Sequence, residues 1–371
     1  MARFHFYCPE AFEPWDYRNP DTQGIGGSET AVVEMAWRLA QRGHRVDVMG
    51  PIPQDCPRRW RGTTWHPLEA ADFTAPGIWV LSRCPTALDS LPHRDTQRTW
   101  LICQDEDYPR QLTLERLNKL DRLVALCTDQ ADAFRVKYPD HAARVYQSSN
   151  GIRPELVQEA LAAHLPRNPK ALLYPSSPDR GLNTLLGIFR RAREYVPDLE
   201  LHVCYGFDNI DKVVAKLAGQ ARGRVLESQV GEIKAALQQP GIVWHGRMGQ
   251  PDLYRLWTRM GLWCYPVEFR ETNCITCQEA QALGAIPITC PVWAVGEYTL
   301  GGSLVEGRVA HDALVQARLV MQLVKWACDP ERQEQERQRL MPLALERFSY
   351  ERAVDQWEAW AHEAPEAGAP R

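Results

Sequence analysis

Two glutamates with seven residues between them, Glu271 and Glu279, are the side chains whose spacing most suggests chemistry. They sit in a stretch that begins with an apolar strand at 262–265 and crosses a polar loop. A short helix stopped by Gly284 follows, then a second apolar strand at 285–289. Thr272 or Asn273 is the expected N-cap, so the backbone N–H groups of Asn273, Cys274 and Ile275 should point out of the helix start unpaired. Such an end carries partial positive charge and suits a phosphate. One carboxylate then lies just outside the anion site and the other inside the helix, roughly 10 Å away at ~1.5 Å rise per residue. A diphosphate with a hydroxyl-rich group on each side fits that layout. Two glutamates at this spacing are common in surface helices. Their placement between two apolar strands favours a site.

The stretch resembles the Glu-x7-Glu signature of family 4 of the retaining GT-B glycosyltransferases, with Glu-Thr-Asn-Cys at 271–274 where that family usually has Glu-Gly-Phe-Gly. The resemblance implies that Glu271 contacts the donor sugar. It also implies that the chain at Thr272, Asn273, Cys274 and Ile275 holds the diphosphate, and that Glu279 binds the ribose hydroxyls. Further motifs follow in the family's order. Gly26-Gly27-Ser28-Glu29 is similar to its Gly-Gly-x-Glu loop, where paired glycines let backbone approach the donor phosphate or the acceptor. Arg180-Gly181 matches its Lys-Gly with Arg for Lys, while Ser176 or Ser177 stands where a first phosphate-binding cation is usual. Gly246-Arg247 resembles the loop near the nucleotide base. Asn150-Gly151-Ile152 resembles the element before the interdomain linker, with Arg153 replacing an Asp.

These motifs need elements to position them. Strands are predicted at 3–8, 45–49, 78–81, 100–103, 123–127 and 145–148, then at 171–174, 200–205, 242–245 and 303–305. A helix opens after Gly27, with Ser28 as the expected N-cap, Val32, Met35, Ala36, Leu39 and Ala40 on one face, and Gly43 as the stop. A dinucleotide-binding reading of Gly24-x-Gly26-Gly27 fails, because the loop lies about fifteen residues beyond the first strand and lacks a clean Gly-x-Gly-x-x-Gly. At the end of the strand 100–103, Gln104 and Asp105 occupy a bend where relatives often carry His-Asp. Asp105 or Asp107 is a candidate to orient an acceptor hydroxyl, against the alternative of a solvated turn. The segment 55–62, with Arg58, Arg59 and Arg61 beside Trp60, reads as a solvated loop.

The 371 residues suit two domains better than one core. A net charge of −4 carries no global basic footprint for nucleic acid. No apolar run approaches the ~20 residues of a membrane span and the N-terminus does not read as a signal peptide, so a cytoplasmic protein is expected. Eleven cysteines, mostly inside apolar runs, suggest reduced buried thiols. Cys274 and Cys277 form a Cys-x-x-Cys with no second pair or nearby His to complete a zinc site, and read as helix-packing residues.

The expected architecture is GT-B, α/β, with two Rossmann-like doubly wound domains facing each other across a cleft. Residues 1–160 form the acceptor domain and 161–345 the donor domain. Residues 346–371 form a helix crossing back to the first domain, ending in a frayed tail at 365–371. The implied reaction moves a sugar from a nucleotide diphosphate sugar, a UDP- or GDP-sugar, to an acceptor hydroxyl with retention. Glu271, Arg180 and Asp105 are the catalytic candidates, and no Asp-x-Asp is placed for a metal. The acceptor can be a glycan, a lipid-linked or small molecule, or a modified nucleic acid. A non-catalytic nucleotide-sugar or glycan-binding module on the same fold is the alternative.

Overall fold

The computed structural model describes residues 1–92 and 94–363; the tail expected to fray at 365–371 lies outside them. The first sheet contains β1 (Arg3–Tyr7), β2 (Arg45–Gly50), β3 (Arg59–Trp60), β4 (Thr63–Pro67), β5 (Gly77–Ser82), β6 (Gln97–Ile102), β7 (Arg122–Ala125) and β8 (Val145–Gln147). The second contains β9 (Asn168–Tyr174), β10 (Glu200–Val203), β11 (Ile242–Trp244), β12 (Met260–Tyr265), β13 (Ile286–Thr289) and β14 (Ser303–Leu304). Their orders are β3-β4-β2-β1-β5-β6-β7-β8 and β11-β10-β9-β12-β13-β14. Apart from the antiparallel β3–β4 pair, the neighbours run parallel. Helices cover both faces of such sheets, which is why their central strands read as continuous apolar runs rather than alternating ones. All six residues of β12 are buried. The result is two Rossmann-like units, each with its own core.

Three local expectations are corrected. The segment read as a solvated loop contributes β3, because Trp60 stacks on Tyr17 at 4.7 Å and anchors the hairpin with β4. Ser28 does not cap the Gly27–Gln41 helix; its hydroxyl donates to Glu29, and Gly26 takes the cap position. The Ile275–Ala282 helix is capped at Cys274 rather than at Thr272 or Asn273.

The Tyr350–His362 helix leaves the second unit and joins the core of the first. Its Trp357 stacks on Phe6 at 6.1 Å and meets Trp100 edge-on at 5.6 Å, while its indole N–H donates to Ser148. The chain therefore crosses between the units twice, and Ile152 and Ser349 pair in a parallel bridge at the crossing. Trp357→Ala should destabilise the protein by about 3–5 kcal/mol, the scale for deleting a buried Trp. A urea titration showing no loss would leave this helix as surface decoration. Among the described residues no helix is long and apolar enough to cross a membrane.

Candidate active site

Open α/β sheets gather ligands at the carboxyl ends of their strands. Here those ends contribute the loops 175–180 after β9 and 204–209 after β10, and the 271–276 segment after β12. The Gln23–Gly27 loop closes the cleft from the first unit. Together they line about 280 Å³.

Arg180 occupies the β9 loop. Gly181 behind it has φ +96°, and a Cβ there would lie 2.5 Å from the Pro266 carbonyl oxygen. Only glycine lets the loop fold against β12 in this way. The Arg180 guanidinium carbon rests 3.3 Å from the Phe269 ring centroid, and Asp179 lies 3.6 Å from its Nε. Its buried Nη1 has no hydrogen-bond partner among the described residues. A buried unpaired guanidinium N–H is costly unless a ligand completes it.

Glu271 faces the same space. Tyr265 Oη donates to its Oε1 at 2.8 Å. Burial pushes its carboxyl above the ordinary value, opposed by the Arg180 charge and the Tyr265 hydrogen bond. At the helix start, the backbone N–H groups of Asn273, Cys274 and Thr276 have no partner among the described residues, whereas that of Ile275 bonds the Asn273 carbonyl. Ile275 thus drops out of the expected amide set and Thr276 enters it, because the cap has moved to Cys274. Ser176 lines the cleft beside them, its hydroxyl 3.4 Å from that of Thr276.

Glu279 lies in the helix and lines the cleft while only 2% exposed. Burial pushes its carboxyl up to about 7, against the nearby Tyr254 hydroxyl, the Gln250 amide at 3.5 Å and the attraction of Arg153. Across the cleft, a Cβ on Gly27 would sit 3.1 Å from Ile275 Cδ1. Gly26 and Gly27 form the wall opposite the helix start. Arg247 also crosses the gap, donating to Glu13 at 2.6 Å and to the Gly24 carbonyl at 2.7 Å.

No protein-family model matches the sequence, and none of the curated proteins does. Solved structures share the whole architecture. An α,α-trehalose-phosphate synthase (UDP-forming) from Burkholderia vietnamiensis superposes with TM-score 0.69 at 13% identity, over 98% of this chain and 97% of that one. HepE from Anabaena, solved with UDP and glucose, gives 0.64 at 13% identity over 97% and 99%. A sucrose-phosphate synthase from Thermosynechococcus elongatus gives 0.63 at 15% identity over 96% and 98%. The fold is GT-B.

Within this GT-B cleft lie Glu271, Arg180, Gly26, Gly27, Ser176, Arg247, Asn273, Cys274, Ile275 and Glu279. Four expected residues lie outside its lining. Asp105 is held in a bidentate pair by Arg83, at 2.9 and 3.0 Å, and so does not face the cleft as a free carboxylate. Asp107 pairs with Lys137. Thr272 is buried, its hydroxyl donating to the Gln104 carbonyl at 2.9 Å. Gly246 is a turn at φ +72°. Cys274 and Cys277 are buried free thiols, with Cys274 at the cleft wall. Sequence reasoning missed Tyr205, Asp208, Asn209 and Gln250, which also line the cleft. The position of 204–209 at the end of a predicted strand was the signal available for the first three.

Proposed function

We propose that the protein is a metal-independent retaining glycosyltransferase that moves a sugar from a nucleotide diphosphate sugar to an acceptor hydroxyl. The observation that carries this reading is the convergence on one cleft of the unpaired Arg180 Nη1, the unpaired helix-start amides, the half-buried Glu271 carboxylate and the buried Glu279 carboxylate. The arginine and the amides suit a diphosphate and the carboxylates suit hydroxyls. HepE, of the same fold, was solved with UDP and glucose, which supports a nucleoside diphosphate here.

In the proposed reaction the bond from the anomeric carbon to the diphosphate oxygen breaks as the acceptor oxygen attacks from the same face. The departing diphosphate oxygen takes the acceptor's proton. Arg180 and the amides of Asn273, Cys274 and Thr276 stabilise charge as it develops there. Glu271 fixes the sugar and Glu279 the ribose. With Asp105 tied to Arg83, no side chain of the first domain is required as base.

Donor hydrolysis without acceptor separates this enzyme from a binding module on the same fold: the enzyme releases nucleoside diphosphate slowly and a module releases none. The glycine wall has its own test. Gly27→Val would push its side chain into Ile275 and hold the domains apart. Transfer should fall below detection because closure assembles the reacting geometry, while nucleotide affinity stays within a few-fold. Product assay and calorimetry on the folded variant measure both. Unchanged transfer would reduce the glycine loop to a helix-opening turn.

A further inference from the structure

The Arg153 side chain is 4% exposed at the meeting of the two domains, and its contacts lead into the donor site. Its Nη1 donates to Asp21 of the Asn19–Thr22 helix and, at 3.1 Å, to Gln250 Oε1. Its Nε lies 3.2 Å from Glu34 and 3.5 Å from Glu155. Gln250 opens the helix Gln250–Thr258 and turns its amide nitrogen toward Glu279 Oε1 at 3.5 Å. The residue before it is packed so closely that a Cβ on Gly249 would lie 2.3 Å from the Asp21 carbonyl oxygen. The first domain thus touches both the arginine and the turn that carries the glutamine.

We propose that Arg153 and Gln250 are positioning residues of the donor site: Arg153, clamped by Asp21 and Glu34, orients Gln250, and Gln250 holds the Glu279 carboxylate toward the ribose. This rests on the assignment of Glu279 to the ribose. The chemistry leaves one arrangement. Arginine only donates, so it must take the amide oxygen of Gln250, and that leaves only the NH2 end to face Glu279. A carboxylate only accepts, so the contact favours its ionised form.

The groups facing Glu279 are Tyr254, Trp257 and Gln250 from one helix, Arg153 from the interdomain linker and Tyr350 from the C-terminal helix. Arg337, on the helix packed behind, bonds the Gly284 carbonyl beyond the far end of the Glu279 helix. Gln250 holds the hydrogen bond to this carboxylate, and Arg153 ties Gln250 to Asp21 of the first domain. Because Arg153 grips Asp21, the chain of contacts runs from the first domain through Gln250 to Glu279.

The test is UDP affinity by calorimetry between pH 6 and 9 on the full chain, for wild type, Gln250→Leu and Arg153→Lys. UDP's own titration is common to all three and cancels in the comparison. Gln250→Leu should bind about tenfold more weakly near neutral pH, recover to within about threefold at the alkaline end, and show an affinity midpoint about one pH unit higher. Arg153→Lys should shift the midpoint the same way, since a single ammonium cannot reach Asp21 and the Gln250 oxygen while also facing Glu34 as the Arg153 Nε does. A purely structural role would lower the melting temperature and leave the midpoint where it is. Coincident midpoints, or a loss equal at every pH, would overturn the relay while leaving Glu279 at the ribose. Absence of both UDP and GDP binding to wild type at every pH would overturn the ribose assignment, and the relay with it.

Discussion

Replacing Arg180 with alanine is expected to lower kcat by at least ~100-fold, the scale for losing one preorganised group that meets charge developing in the transition state. The buried Nη1 without a partner is the reason to expect so large an effect. The guanidinium is preset by the Phe269 ring and the Gly181 turn, so no reorganisation accompanies the reaction. Arg180→Lys should recover only part of the loss, because an ammonium on a flexible stem lacks the planar fork. Near-normal turnover of Arg180→Ala, measured with saturating donor, would make Arg180 an ordinary turn residue.

Glu279 carries the second large effect, this one on binding. Glu279→Ala should weaken UDP by ~1.5–3 kcal/mol, about 10- to 100-fold, with little change in kcat, because the ribose is remote from the bond being broken. A variant that binds donor normally while kcat collapses would overturn the assignment. The same burial gives a pH signature. With its carboxyl pushed up to about 7, Glu279 is protonated and unable to accept two hydroxyls on the acid side, so wild-type affinity should fall as pH drops through neutrality. The sign for stability is opposite. A carboxyl whose folded value exceeds its unfolded one binds more protons in the native state, so the stability it contributes is lost as pH rises from about 4.5 to about 7. The integrated loss is about 3 kcal/mol. Glu279→Gln should therefore melt higher than wild type at pH 8 while binding UDP more weakly, and a lower melting temperature there would contradict the linkage.

Much of the fold was legible because parallel strands buried on both faces print as apolar runs, as at 262–265 and 123–127. The glutamate pair was legible for a related reason: a polar loop and helix between two such runs must face a crevice. The cap was not. Thr272 had the right side chain, but its hydroxyl is taken by the Gln104 carbonyl, a contact spanning 168 positions, and the cap fell to Cys274. The pairing of Asp105 was not legible because its partner Arg83 sits 22 residues earlier in an unrelated loop. The Arg153–Gln250 link was hidden in the same way, since Asp21 and Arg153 are 132 residues apart. Hairpin β3–β4 escaped because three arginines mask the Trp60 and Trp65 anchors, which only the stacking with Tyr17 reveals.

The most direct test of the central claim is the identity of the sugar first released when the purified protein is given α-linked UDP- and GDP-sugars with water as the acceptor. Proton NMR, read before mutarotation, distinguishes the anomers while the free nucleoside diphosphate is counted in the same tube. Stoichiometric release of nucleoside diphosphate and of the α-anomer is expected from at least one donor, and its loss is expected in Arg180→Ala. Release of the β-anomer would contradict retention, and no release from any donor would contradict glycosyl transfer itself.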